Sequence, residues 1–227
     1  GGTSYWDDVV QHGGMALSYL NLYDAEAAWQ TAYDLGGGPV RAQKKLYIAL
    51  NKPAGVVTSH GDTHGRTTVY DLLKELGRWV FPVGRLDMDT SGLLILTNDT
   101  DFGERLLNPD SKVPKTYYVK VAGSMEPEHY RALESGVDIG RGETTGPATA
   151  REVRRTDKNT WFELTITEGK NRQVRRMCEA IDRPIRKLVR IRIGGYALGT
   201  IPVGKFVTLE AADLRNCWMP APPASGR

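Results

Sequence analysis

The clearest pattern in the chain is strict alternation over Thr160–Thr167, where Phe162, Leu164 and Ile166 fall on one side and Trp161, Glu163 and Thr165 on the other. That period of two is the mark of a half-buried strand. Lys115–Val121 repeats it, with Tyr117, Val119 and Val121 opposed to Thr116, Tyr118 and Lys120. Leu46–Leu50 and Leu93–Leu96 are unbroken apolar runs that predict strands buried on both faces, and Trp79–Val83, Pro147–Val153 and Ile185–Ile193 read as further extended segments. A helical period replaces the alternation over 68–76 (Val69, Leu72, Leu73 and Leu76 inward), 99–107, 126–135 and 172–181, the last with Val174, Met177, Cys178 and Ile181 on one stripe. These elements lack the regular strand–helix beat of a doubly wound sheet. The expected fold is therefore α+β, a mixed, largely antiparallel central sheet flanked by helices.

Punctuation divides the chain into three parts. Residues 1–42 form an acidic helical N-terminal extension in which Asp24 caps a helix carrying Ala25, Ala28, Trp29, Ala32 and Tyr33, closed by Gly36-Gly37-Gly38-Pro39. Residues 43–213 form the main domain. Residues 214–227, with Pro220, Pro222 and Pro223, are expected to be a flexible tail.

Composition narrows the class. With 227 residues, 40% hydrophobic and 25% charged, the chain is long enough for one good core, and no apolar run is long enough to span a bilayer. Cys178 and Cys217 have neither metal-ligand nor disulfide-framework spacing, which favours a reducing compartment. The net charge of +3 is unevenly spread: residues 1–42 carry −4, and the 24 residues from Gly169 to Arg192 carry +7. Seven of the nine bases in that segment are arginines (Arg172, Arg175, Arg176, Arg183, Arg186, Arg190, Arg192, beside Lys170 and Lys187), a residue suited to bidentate phosphate contacts. A polyanionic partner follows, and the lack of a P-loop or dinucleotide turn favours nucleic acid over a nucleotide.

The candidate chemistry centres on Gly84-Arg85-Leu86-Asp87-Met88-Asp89-Thr90-Ser91-Gly92, a charged turn running straight into the buried strand at Leu93. A calcium loop would need a bidentate Glu where Asn98 stands, and a polar second half where Leu93–Thr97 is apolar. Two carboxylates two residues apart in one turn suit a glycosidase poorly, and aspartates that merely build the turn are the plain alternative. His60-x-Asp62-x-His64 has the look of a metal site, but Gly61 and Gly65 work against convergence, and a flexible exposed loop is the better expectation.

Taken together, Gly84-Arg85-Leu86-Asp87, Thr90-Ser91-Gly92-Leu93-Leu94, Lys115-Thr116-Tyr117 and Glu168-Gly169-Lys170-Asn171-Arg172-Gln173-Val174-Arg175-Arg176-Met177 resemble the successive motifs of the ribosomal-RNA pseudouridine synthases of the RsuA family. Lys52-Pro53-Ala54-Gly55 and the stretch from Gly65 to Leu73 match as well, and the likeness spans roughly 46–213. The resemblance implies a synthase catalytic domain over 43–213, no cofactor and no metal, and isomerisation of a uridine to pseudouridine in ribosomal RNA. It implies Asp87 as catalytic carboxylate, Tyr117 as active-site tyrosine and Arg175 as the arginine that pairs with Asp87. Arg85 would enter the space of the displaced base, and Lys170, Arg172, Arg176, Arg190 and Arg192 would grip RNA. A monomer is expected, in the cytoplasm or an organelle with its own ribosomes. The acidic extension departs from the basic RNA-binding domain that precedes many members of the family. The rival reading is a non-catalytic RNA-binding ribosome-assembly protein that has kept the fold.

Overall fold

A computed structural model describes residues 44–59 and 64–220. The acidic extension and the histidine-bearing loop at 60–63 lie outside the described residues. From Lys45 onward the chain belongs to one compact unit.

Its frame is a nine-stranded sheet: β1 (Tyr47–Lys52), β2 (Phe81–Pro82), β3 (Ser91–Thr97), β4 (Lys115–Ala122), β5 (Thr149–Thr156), β6 (Asn159–Ile166), β7 (Ile185–Ile193), β8 (Tyr196–Ala197) and β9 (Phe206–Thr208). The order is β5-β6-β4-β7-β3-β1-β9, with β2 on β3 and β8 on β7. Only the β3–β7 contact is parallel; the other pairs are antiparallel. The mixed, largely antiparallel sheet expected from the pattern is thus the one observed. Helices α1 (Thr100–Leu107), α2 (Pro127–Ser135), α3 (Gln173–Ala180) and α4 (Ala211–Asn216) flank it, together with a 3-10 helix over Val69–Leu76.

Alternation decides which residues reach the core. Phe162, Leu164 and Ile166 from β6, Tyr117, Val119 and Val121 from β4, and Val174, Met177 and Cys178 from α3 share one buried cluster with Ile48, Leu50, Leu94 and Leu96. Val69 to Leu76 is 3-10 rather than α-helical, capped by Thr68, whose N–H donates to Asp71 Oδ2 at 2.8 Å, and closed by Gly77 at φ 62°. α1 is capped by Asp99, which also accepts from the Tyr47 hydroxyl at 2.6 Å and pairs with Lys45 at 2.9 Å. Burial and the charge of Asp99 push the Tyr47 hydroxyl up to about 12.

The expected loose tail is corrected over its first part. α4 runs to Asn216, and Cys217 is fully buried. The Trp218 ring meets Phe102 edge-on at 5.0 Å from the Arg105 guanidinium. The cause is local: Gly194 and Gly195 have no side chain, so the 216–217 backbone comes within reach and Gly195 N–H donates to Asn216 O at 2.8 Å.

Candidate active site

The Asp87 turn hangs between β2 and β3 and is fastened on two sides. On the β1 side, Leu86 is buried in the core while its carbonyl accepts from Thr58 Oγ1 at 2.9 Å. Gly55 N–H donates to Met88 O at 2.7 Å. Lys52, wholly buried, aims its ammonium at three carbonyls: Val56 O at 2.7 Å, Pro53 O at 2.9 Å and Met88 O at 3.5 Å. Desolvation lowers its pKa to about 8, against the opposing pull of Asp89 and Asp87. Within the turn, Thr90 N–H donates to Asp87 O at 3.0 Å.

The other fastening comes from the start of α3. Arg172 is its N-cap residue and sits in the left-handed region at φ 47°, an uncommon backbone for a residue with a side chain. That conformation throws its guanidinium back over the turn, 3.5 Å from Asp87 Oδ2 and 3.4 Å from Asp89 Oδ2. Arg175, one helical turn on, donates to Asp89 O at 3.0 Å and Thr90 Oγ1 at 3.3 Å and pairs with Asp89 Oδ1 at 3.2 Å. The expected Arg175–Asp87 pair is therefore not formed; Arg172 takes that place. Residues 172 and 175 are three apart, so both reach the same turn, and the left-handed cap decides which one meets Asp87.

The sheet supplies the rest. Cross-strand partners project to the same side, so one row runs Leu164–Tyr117–Arg190–Gly92–Lys52 across β6, β4, β7, β3 and β1. A register shift between Thr116 and Tyr117 sets Arg190 opposite Tyr117 and leaves Arg192 opposite Thr116. Next to Arg190 in the row, Gly92 has φ +107°, and a Cβ there would lie 2.2 Å from Arg190 O. Only glycine lets β3 and β7 close up beneath the Asp87 turn. Asp87 itself keeps 35% of its side chain open to solvent.

Three of the residues assigned to gripping RNA have other engagements. Arg176 donates to Ile139 O at 2.9 Å, Gly140 O at 2.8 Å, Asn171 O at 3.2 Å and Glu143 Oε2 at 2.6 Å, pinning the 139–143 turn to α3. Lys170 pairs with Glu168, whose carboxyl sits below its ordinary value because the hydrogen bonds from Lys170 and Gly146 outweigh the opposing effect of burial. Arg190 is 4% exposed, with its Nε donating to Leu93 O at 2.8 Å. Arg85 is exposed, Arg172 is 44% exposed in its side chain, and Arg192 is half-buried. Lys52 and Arg190 were both visible in the sequence as charges on inward parity, following Ile48 and Leu50 on β1 and Leu188 on β7. Among the described residues no cluster of three or more His, Cys, Asp or Glu is placed to hold a metal ion.

The family described as RNA pseudouridylate synthase matches residues 46–180, a span holding the Asp87 turn, Tyr117 and both arginines of the turn. The chain belongs to that family. It is 39% identical over 182 residues to an "Uncharacterized RNA pseudouridine synthase" of Aquifex aeolicus (strain VF5), covering 80% of this chain and 73% of that protein. It is 42% identical over 159 residues to "Ribosomal large subunit pseudouridine synthase B" of Bacillus subtilis (strain 168), covering 69% of this chain and 65% of that one. A solved structure titled "Crystal structure of pseudouridylate synthase" superposes with a TM-score of 0.70 at 31% identity, covering 78% of this chain and 75% of the other. As a pseudouridine synthase, an isomerase, the chain must break a nucleoside bond and remake it elsewhere on the same base. No helix among the described residues is long and apolar enough to cross a membrane.

Proposed function

We propose that this chain converts a specific uridine of large-subunit ribosomal RNA to pseudouridine, with Asp87 as the catalytic carboxylate. The observation that carries the reading is the partly open Asp87 side chain, met by a guanidinium from the start of α3. The names of relatives from Bacillus subtilis (strain 168) and Xanthomonas axonopodis pv. citri (strain 306) point to the ribosomal large subunit.

In the reaction the bond from C1′ to N1 breaks, the uracil turns, and C1′ is rejoined to C5. Asp87 either attacks the sugar carbon or removes a sugar proton, and in both roles Arg172, 3.5 Å away, helps to hold the carboxylate in place. The base has to leave its helix at a cost of a few kcal/mol, and stacking on an aromatic ring returns about 1–3 kcal/mol. Tyr117 is that ring in this reading. Arg85, exposed beside the turn, takes the space the base vacates, and the open arginines Arg172 and Arg192 meet phosphate. The activity belongs where ribosomal RNA is made or assembled, in the cytoplasm or an organelle with its own ribosomes.

Unmodified ribosomal transcripts incubated with the purified protein and mapped for pseudouridine test this directly. One new modified position with wild type and none with Asp87→Asn is expected. No product from wild type, with RNA binding intact, would instead mark a protein that kept the fold and lost the chemistry.

A further inference from the structure

Arg190 has a donor with nothing to give it to. Its Nε is bonded to Leu93 O, but Nη2 is buried without a hydrogen-bond partner. Among the described residues no carboxylate lies within ion-pair distance of it. A buried guanidinium left partly unpaired is costly, and such groups persist where something else completes them. Its position says what that is: Arg190 stands directly opposite Tyr117, and beyond it Gly92 leaves the row empty of side chain before Lys52. The three Lys52 donors are engaged by backbone carbonyls. Within this row the free donor therefore belongs to Arg190, cross-strand from the ring on which the base would stack; Arg175 Nε, also unpaired, lies on the α3 side of the turn.

We propose that Arg190 is a further catalytic residue, whose Nη2 binds a carbonyl oxygen of the turned-out uracil. The inference rests on the reading given under Proposed function. When C1′–N1 breaks, the bonding pair stays on the uracil and spreads onto O2 and O4. C1′ then bonds to C5, C5 loses its proton, and N1 takes one up, so the base is isomerised without any external reagent. A fixed cationic donor at O2 or O4 stabilises the anion that exists between those two bond events. It also holds the ring by one edge while it turns.

The test uses single-turnover rates on an RNA fragment carrying the mapped uridine, with 2-thiouridine or 4-thiouridine in its place. Sulfur accepts a hydrogen bond poorly, so one of the two substitutions slows wild type about tenfold. Arg190→Met slows the natural substrate about 10²-fold in kcat with little change in KM, and it is indifferent to that same sulfur. Should Arg190→Met not fold, Arg190→Lys carries the comparison, with a sulfur penalty smaller than that of wild type. Wild type that accepts both thio-uridines without loss, or a variant with the full wild-type sulfur penalty, overturns the proposal. Wild type that makes no pseudouridine even from natural uridine brings down the functional reading instead.

Discussion

The two fastenings of the Asp87 turn differ in kind. The β1 side is dry: Lys52 is fully buried, Leu86 is core, and the links run to backbone carbonyls. The α3 side is wetter at its edge: Arg172 and Asp89 are 44% and 47% exposed and meet at 3.4 Å, with Arg175, only 12% exposed, behind them. Exposed ion pairs of this sort contribute about 0–1 kcal/mol, whereas a buried polar group stripped of its partner costs about 1–3 kcal/mol. The buried links therefore hold the turn, and the exposed Arg172 contact is the one loose enough to be exchanged for a substrate. A site that must be rigid before RNA arrives and open to it afterwards needs both.

The largest effect is expected at the join of the dry side. Gly92→Ala would place a Cβ 2.2 Å from Arg190 O at φ +107°, so β3 and β7 must part. Urea denaturation should show a loss of roughly 3 kcal/mol or more. A loss under about 1 kcal/mol would mean that the close approach is not structural.

Lys52 gives a pH signature next. Its folded pKa of about 8 lies below the ordinary 10.5. Below pH 8 both folded and unfolded states hold the proton, and the full cost of burying the charge is borne. Between 8 and 10.5 the folded state releases it first, so stability rises with pH across that window. The gain is about 3 kcal/mol at its upper end. Stability curves of wild type and Lys52→Met should differ by that rise; parallel curves would show that the ammonium feels no desolvation.

On the α3 side, Arg176→Ala should lower stability by about 2 kcal/mol, because it leaves the carbonyls of Ile139 and Gly140 without their donor. The salt dependence of RNA binding should stay as it was. A shallower salt slope would put Arg176 on phosphate after all. Arg172→Ala, the smallest change in the fold, should leave stability within about 0.5 kcal/mol. It should reduce the salt slope of RNA binding by about 1 and slow the reaction roughly tenfold. An unchanged slope and rate would return the pairing role to Arg175.

How much of this was legible follows from what each residue does. Alternation at Tyr117, Val119 and Val121 and at Phe162, Leu164 and Ile166 is a direct print of burial, so the sheet could be read. The apolar stripe of Val174, Met177 and Cys178 likewise revealed α3. Arg176 carries charge inside a basic segment, and average charge hides a residue whose donors turn inward; at Arg190 only the strand parity, not the charge, signals burial. Arg172 could not be assigned because its reach depends on a left-handed backbone that no periodicity announces. The prolines near the end suggested a loose tail, while Cys217 backs onto Gly194 and Trp218 meets Phe102 and Arg105 of α1, contacts distant in sequence that local pattern does not encode.

The central claim is that Asp87, seated by the dry side of the turn, performs the bond exchange. Its most direct measurement is the single-turnover rate of pseudouridine formation by Asp87→Asn on the mapped RNA fragment, with binding measured alongside. A fall on the order of 10³-fold or more with RNA affinity kept within about threefold is predicted. A rate within about tenfold of wild type would contradict it.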